Sequence, residues 1–257
     1  MSTLVPTVSM YPTGEDRSVH NQVSRRHAVH AMTAAILMVE AGLSAQTLIP
    51  TAYGDSAGDT FGYSVAGAGD VNQDGYDDVI VGAYRDDDNG SSSGSARVLS
   101  GNDGATLYTF YGDSGGDYFG WSVDGAGDVN QDGYDDLIVG ARNDDDNGSS
   151  SGSARVLSGF DGAILYTFYG DSVGDLFGYS VAGAGDINSD GYSDLVVGAY
   201  GDDDNGSSSG SARVLSGFDG AILYTFYGDS VGDLFGWSVD GAGDVDQDGF
   251  GDVIVGA

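Results

Sequence analysis

From residue 51 onward, short apolar stretches alternate with runs of Asp, Asn, Gly and Ser, and the alternation itself recurs. Tyr63-Ser64-Val65-Ala66-Gly67 has the period-two pattern of a short strand. An acidic loop from Asp70 to Asp78 follows. Val79-Ile80-Val81-Gly82-Ala83 is then continuously apolar, as in a strand buried on both faces. Asp86 to Gly94 contains only loop formers. Ser95-Ala96-Arg97-Val98-Leu99 predicts a third strand, Asn102-Asp103-Gly104 a hairpin turn, and Thr106 to Tyr111 a fourth strand. No window carries the 3.6-residue periodicity of a substantial helix.

The pattern is a repeat. Phe61-Gly62 returns at positions 119, 177 and 235, a constant period of 58. The units are 55–112, 113–170, 171–228 and 229–257, the last being half a unit. Each unit is one supersecondary element that cannot bury its apolar face alone, so neighbours must stack. Four antiparallel strands in every unit predict an all-β chain folded as a β-propeller, with one four-stranded blade per repeat. Thr47 to Gly54 aligns with Ala105 to Gly112, so a fourth strand precedes the first unit, whereas the last unit stops after its second strand. A blade built from both chain ends would then lack a third strand. A truncated chain, a four-bladed ring with one defective blade, and two chains sharing one ring all accommodate this phase.

Composition divides the chain near residue 48, into a lead of 1–47 and a repeat domain of 48–257. The net charge is −32. Residues 1–50 are balanced, so the whole excess lies in the repeats, which hold Asp and a few Arg but neither Glu nor Lys. Such a surface repels phosphate backbones and anionic lipid, and no basic cluster offsets it, which excludes nucleic acid and membrane-surface partners. The absence of Cys excludes a disulfide framework, a thiolate metal site and a thiol enzyme. His occurs only at 20, 27 and 30, so the many Ser of the repeats have no base beside them, and no catalytic residue is assigned. Asp pairs can serve glycoside hydrolysis, but those present are accounted for by metal binding. In the lead, Arg25-Arg26-His27, the apolar run Ala31 to Val39 and small residues near Ala45 read as an export signal, with an amphipathic helix or a disordered lead as the alternative. The run is too short to span a bilayer, and no membrane insertion is expected.

The chemistry lies in a nine-residue loop of the form D-x-[DN]-x-D-G-x-x-D. Its candidate ligands are Asp70, Asn72, Asp74, Tyr76 and Asp78 in the first unit. Asp128, Asn130, Asp132, Tyr134 and Asp136 follow in the second, and Asp186, Asn188, Asp190, Tyr192 and Asp194 in the third. Asp244, Asp246, Asp248, Phe250 and Asp252 complete the set. Side chains at positions 1, 3 and 5 converge when a chain coils round a point, and Gly at position 6 permits the sharp turn. Position 7 offers a backbone carbonyl and position 9 a closing carboxylate. An all-oxygen set of this size suits Ca2+, whose shell takes 6–8 oxygens, better than the tight octahedron of magnesium. An EF-hand is excluded, because position 12 from Asp70 is Val81 rather than Glu. The remaining alternative is an Asp/Asn/Gly turn without metal.

With Phe61-Gly62, the acidic loop and Val81-Gly82-Ala83 in order, the unit resembles the FG-GAP repeat of integrin alpha-subunit propellers. Tyr84, Arg142 and Tyr200 stand where that family has the Pro of Gly-Ala-Pro. The resemblance covers about 51–257. It implies a seven-bladed propeller, calcium in the hairpin between the first and second strands of a blade, and the same ligand residues. It also implies a secreted or cell-surface location, with adhesion to or binding of a protein or glycan ligand. A carbohydrate-binding, lectin-like propeller and a structural surface or matrix protein are the alternative functions, and self-association could complete the ring.

Four further features are ambiguous. The loop Asp86-Asp87-Asp88-Asn89-Gly90 and its copies at 144–148 and 202–206 read as solvated acidic loops, with a second cation site as the alternative, at the opposite end of the strands from the calcium loops. Asn89, Asn147 and Asn205 fit the N-glycosylation acceptor pattern. Arg97, Arg155 and Arg213 either tie Asp charges between blades or face solvent. Tyr63, Trp121, Tyr179 and Trp237 read as filling between blades, with sugar stacking as the alternative.

Overall fold

The computed structural model describes residues 51–257, together with the backbone of a two-residue strand, Thr33–Ala34. The remainder of the lead, including most of the apolar run read as an export signal, lies outside the described residues. Strand β1 (Thr33–Ala34) pairs with β2 (Ala52–Tyr53). Three four-stranded antiparallel sheets follow, each in plain meander order. The first is β3 (Ser64–Gly69), β4 (Asp78–Ala83), β5 (Ser95–Leu99) and β6 (Thr106–Tyr111). The second is β7 (Phe119–Gly127), β8 (Asp136–Ala141), β9 (Ser153–Leu157) and β10 (Ile164–Tyr169). The third is β11 (Ser180–Gly185), β12 (Asp194–Ala199), β13 (Ser211–Leu215) and β14 (Ile222–Tyr227). A two-stranded sheet, β15 (Ser238–Gly243) and β16 (Asp252–Gly256), begins the next blade. None of the described residues is helical, so none forms a helix able to cross a membrane.

From β2 onward these are the strands that the hydrophobic pattern predicts, whereas β1 falls in the run read as an export signal, and the protein is an all-β propeller built from one blade per repeat. The uniformly apolar second strands β4, β8 and β12 are buried along their whole length, because each has a strand on either side and side chains packed over both faces. Neighbouring blades pack through two devices. The Phe of the first three Phe-Gly pairs, Phe61, Phe119 and Phe177, is almost completely buried. The second device is a first-strand hydroxyl. Ser64, Ser122 and Ser180 donate to the carbonyls of Gly120, Gly178 and Gly236 in the next blade, at 2.9, 2.8 and 2.8 Å. The glycine of the pair is required here: Gly120 has φ of +80°, and a Cβ on it would come within 2.1 Å of the Ser95 carbonyl. Fourth strands add a further tie, since the Tyr108 hydroxyl donates to the carbonyls of Gly159 and Phe160 in the following blade, both at 3.0 Å.

Candidate metal centres on the blade hairpins

The acidic loop joins the first strand of a blade to the second. A bulge at the end of β3, between Gly67 and Gly69, turns the chain out of the sheet. Gln73 (φ 57°) and Gly75 (φ 87°) then take left-handed conformations that coil the loop back on itself. The Asp70 carboxylate accepts the Asp74 amide at 3.0 Å and the Gly75 amide at 2.9 Å. Asn72 Oδ1 accepts the Asp74 amide at 2.9 Å, and Asp74 accepts the Tyr76 amide at 3.0 Å. Asp128, Asn130 and Asp132 repeat these bonds, as do Asp186, Asn188 and Asp190, and Asp244, Asp246 and Asp248. The turn therefore holds positions 1, 3 and 5 together on the outside of the coil. In the fourth loop Asp244, Asp246 and Asp248 each place an oxygen within 4.8 Å of the others.

Position 9 is placed differently. Asp78, Asp136 and Asp194 are at most 1 % exposed and form the floor of the loop. Asp136 accepts the Val129 amide at 2.9 Å and the Gly159 amide at 3.0 Å, tying the loop to the turn between β9 and β10. Asp78 does the same with Val71 and Gly101, and Asp194 with Ile187 and Gly217. Asp252 has its Val245 partner at 2.8 Å. Burial raises the Asp78 and Asp194 carboxyls above the usual range and pushes Asp136 to about 6. At position 7, the rings of Tyr134 and Tyr192 lie against Phe160 and Phe218, at 5.1 and 5.0 Å between centroids.

The opposite end of the blade carries a second set of carboxylates. Asp113, Asp117 and Asp144 approach within 4.8 Å, as do Asp55, Asp86 and Asp88, and Asp171, Asp202 and Asp204. The expectation of a wholly solvated acidic loop needs correcting. The first Asp of each run, Asp86, Asp144 or Asp202, is at most 2 % exposed. Each accepts a hydroxyl from the start of the third strand, Ser95, Ser153 or Ser211, at 2.5–2.6 Å. Two residues ahead of each Phe-Gly pair, Asp59, Asp117 and Asp175 are also buried. Burial, followed by the hydrogen bond to Asp113 or Asp171, pushes Asp117 and Asp175 to about 7, and Asp59 reaches about 6 for the same reasons. Sequence reasoning missed these three, although Gly-Asp-x-Phe-Gly recurs in all four units.

The third-strand arginines face these carboxylates rather than solvent. Arg97, Arg155 and Arg213 pair with Asp55, Asp113 and Asp171 at 2.9, 2.5 and 2.6 Å, across the junction with the segment that precedes each blade. The side-chain amide nitrogens of Asn89, Asn147 and Asn205 donate to the carbonyls of Gly112, Gly170 and Gly228, all at 2.7 Å, so the atom that would carry a glycan is engaged in the folded protein. Tyr63, Trp121, Tyr179 and Trp237 form one row across the blades, with centroids 4.7, 5.6 and 4.9 Å apart. The Arg142 guanidinium lies 3.7 Å from the Trp121 ring and fills the middle of the row, while Tyr63 and Trp237 at its ends are 47 % exposed.

Comparison with known proteins gives the same repeat. The FG-GAP repeat model matches residues 61–99, 119–157 and 177–215. The chain is 33 % identical to integrin alpha-5 of Xenopus laevis over 77 % of its length and 34 % identical to integrin alpha-V of Gallus gallus over 76 %. It is 32 % identical to integrin alpha-8 of Mus musculus over 81 %. It spans about a fifth of the length of each of these relatives. Among solved structures, BamB from Moraxella catarrhalis aligns with 70 % of the chain and 40 % of its own at 16 % identity, with a TM-score of 0.36. The fold assignment rests instead on the sheets described above. With three matches to the FG-GAP repeat model and 32–34 % identity to integrin alpha chains over three quarters of its length or more, the chain belongs to the FG-GAP repeat proteins as an integrin-alpha-like β-propeller.

Proposed function

We propose that the chain is an extracellular, non-catalytic FG-GAP module that binds calcium through its hairpin loops and serves adhesion or ligand binding. The observation that carries this reading is the acidic coil that recurs in all four hairpin loops with the same carboxylate-to-amide bonds, its three carboxylates lying within 4.8 Å of one another in the fourth. The donor set fits the ion: it is all oxygen and anionic, with Asp74 exposed at the rim and Asp78 buried at the floor. Asp70, Asn72, Asp74, the backbone of Tyr76 and Asp78 would hold it in the first loop, with the corresponding residues in the others. The ion would remove the repulsion among converging carboxylates and lock the hairpin, so that binding contributes to folding. The chain's own part is to fix the coil by backbone hydrogen bonds and to anchor its floor through the ninth carboxylate. The integrin alpha relatives support a surface location and a protein or glycan ligand. A surface coated with the chain is expected to retain cells or a ligand in calcium and to release them in excess chelator. Retention unchanged by chelation, or absent in both, would remove the adhesive role.

A carbohydrate-binding reading has one observation in its favour, the half-exposed rings of Tyr63 and Trp237. Binding to a glycan array that Trp237→Ala abolishes would select it over a protein ligand.

A further inference from the structure

Position 4 of the acidic loop lies between two candidate ligands and is not one itself. In the first loop it is Gln73, and its side chain crosses to the next blade. Gln73 Nε2 donates to the carbonyl of Gly133, position 6 of the second loop, at 2.5 Å. Gln131 repeats the contact one blade further on, donating to the carbonyl of Gly191 at 2.7 Å. The peptide that receives this bond also seats a ligand. It joins Gly133 to Tyr134, and its N–H donates to Asp132 Oδ1 at 3.0 Å. The peptide joining Gly191 to Tyr192 likewise donates to Asp190 Oδ1 at 2.9 Å. A side chain of one loop therefore holds the peptide on which the fifth-position carboxylate of the next loop rests.

The turn itself does not need Gln. Gln73 and Gln131 have φ of 57° and 58°, and Ser189 takes the same left-handed conformation, φ 58°, at position 4 of the third loop. What Gln adds is reach, and the junctions between loops are graded by it. The first and second loops share two side-chain ties, because the Asp135 carboxylate, at position 8, also accepts the Asp70 amide at 2.9 Å. Between the second and third loops Ser193 stands in the place of Asp135, and Gln131 makes the tie. Between the third and fourth, Ser189 replaces Gln and Gly251 replaces Asp135. A Cβ on Gly249 would meet nothing within 4 Å, whereas one on Gly133 or Gly191 would lie 3.3 or 3.1 Å from the glutamine nitrogen. That last junction carries instead a backbone bond, from the Gly251 amide to the Asp186 carbonyl at 3.3 Å.

We propose that Gln73 and Gln131 are positioning residues that couple the cation sites of neighbouring blades, most between the first and second loops, less between the second and third, and least between the third and fourth. The inference rests on the calcium reading of these loops and deepens it. Filling the second loop orders Asp132 and the peptide bonded to it, and through that peptide the Gln73 side chain, which stands between Asn72 and Asp74 in the chain. Filling the first loop orders Gln73 and so holds the same peptide ready in the second. Such coupling is reciprocal: each site raises the affinity of the other by the same factor.

Calcium titration followed by amide NMR reads the loops one by one, because Gly75, Gly133, Gly191 and Gly249 each donate to the first carboxylate of their own loop. The variants exchange residues that the native turn already accepts. Gln73→Ser is expected to raise the calcium midpoints of the first and second loops by about fivefold and to leave the fourth unchanged. Ser189→Gln, which supplies the missing reach, is expected to lower the midpoints of the third and fourth. Asp132→Ala, which disables the second loop, should weaken the first by about fivefold in the native chain and by less once Gln73→Ser is present. A Gln73 that only props the fold would lower the melting temperature in chelator and leave every midpoint in place, and that result overturns the coupling. So do midpoints unmoved by both exchanges while all four glycines still respond to calcium, an outcome that leaves the calcium reading standing. Glycines that do not respond to calcium at all overturn that reading, and the coupling with it.

Discussion

The two ends of each blade carry carboxylates in similar density and use them in opposite ways. At the hairpin end, Asp74 is exposed and Asp70 and Asn72 are half-buried, bonded by amides of their own turn. At the other end Asp117 and Asp144 are buried, the first met by the Asp113 carboxyl and the second by the Ser153 hydroxyl, while Arg155 pairs with Asp113. The first arrangement asks for a cation from solution; the second is balanced by the chain and by protons. An acidic sequence is therefore not one property but two, separated by burial. If that contrast is right, each end responds to a different perturbation.

The largest effect should come from chelation. Each loop saturated at a hundred times its Kd would add about 2.7 kcal/mol, and each kcal/mol moves the Tm of a domain this size by about 2–4 °C. Excess chelator is therefore expected to lower the Tm by about 20 °C or more in a calorimetric scan. Arg155→Met comes next. It leaves Asp113, Asp117 and Asp144 without their cation, and urea unfolding should show a loss of about 2 kcal/mol, moderated by the exposure of Asp113 and independent of calcium. In chelator, Asp132→Asn at the hairpin end should by contrast change stability by less than about 0.5 kcal/mol.

The acid end should also respond to pH. The folded pKa values of Asp117 and Asp175, about 7, lie above the unfolded range, so the folded state binds more protons between about pH 4 and pH 7. Stability in chelator should then rise as the pH is lowered from 8 to 5.5 and be flat above 8, with Asp59 and Asp136 contributing in the same direction near 6. A melting temperature that falls over that interval would reverse the assignment. An effect smaller than that of Arg155→Met is expected of Ser122→Ala, which removes one hydroxyl bond to Gly178 and should cost about 1 kcal/mol without changing either response.

Much of this was legible before the structure. A period of 58 and the alternation within it place all four strands, because strand burial follows directly from which positions are apolar. The coil at positions 1, 3 and 5 was legible for the same local reason: Asx bonds and a left-handed Gly act over a few residues. What escaped depends on contacts far apart in sequence. Asp86 looks like part of a solvated run, yet it is buried with its carboxylate on the hydroxyl of Ser95, nine residues away. Asp59, Asp117 and Asp175 sit in turns with no apolar neighbour pattern to mark them. Asp78 was legible as a candidate ligand but not as the clamp on Gly101, since that turn lies 23 residues away.

Calcium titration calorimetry on the chelator-treated chain tests the central claim most directly. Uptake of one ion per hairpin loop, falling by one when Asp132→Ala removes the second coil, is the expected result. No heat and no bound calcium at millimolar concentration would mean that the coils hold themselves together without an ion.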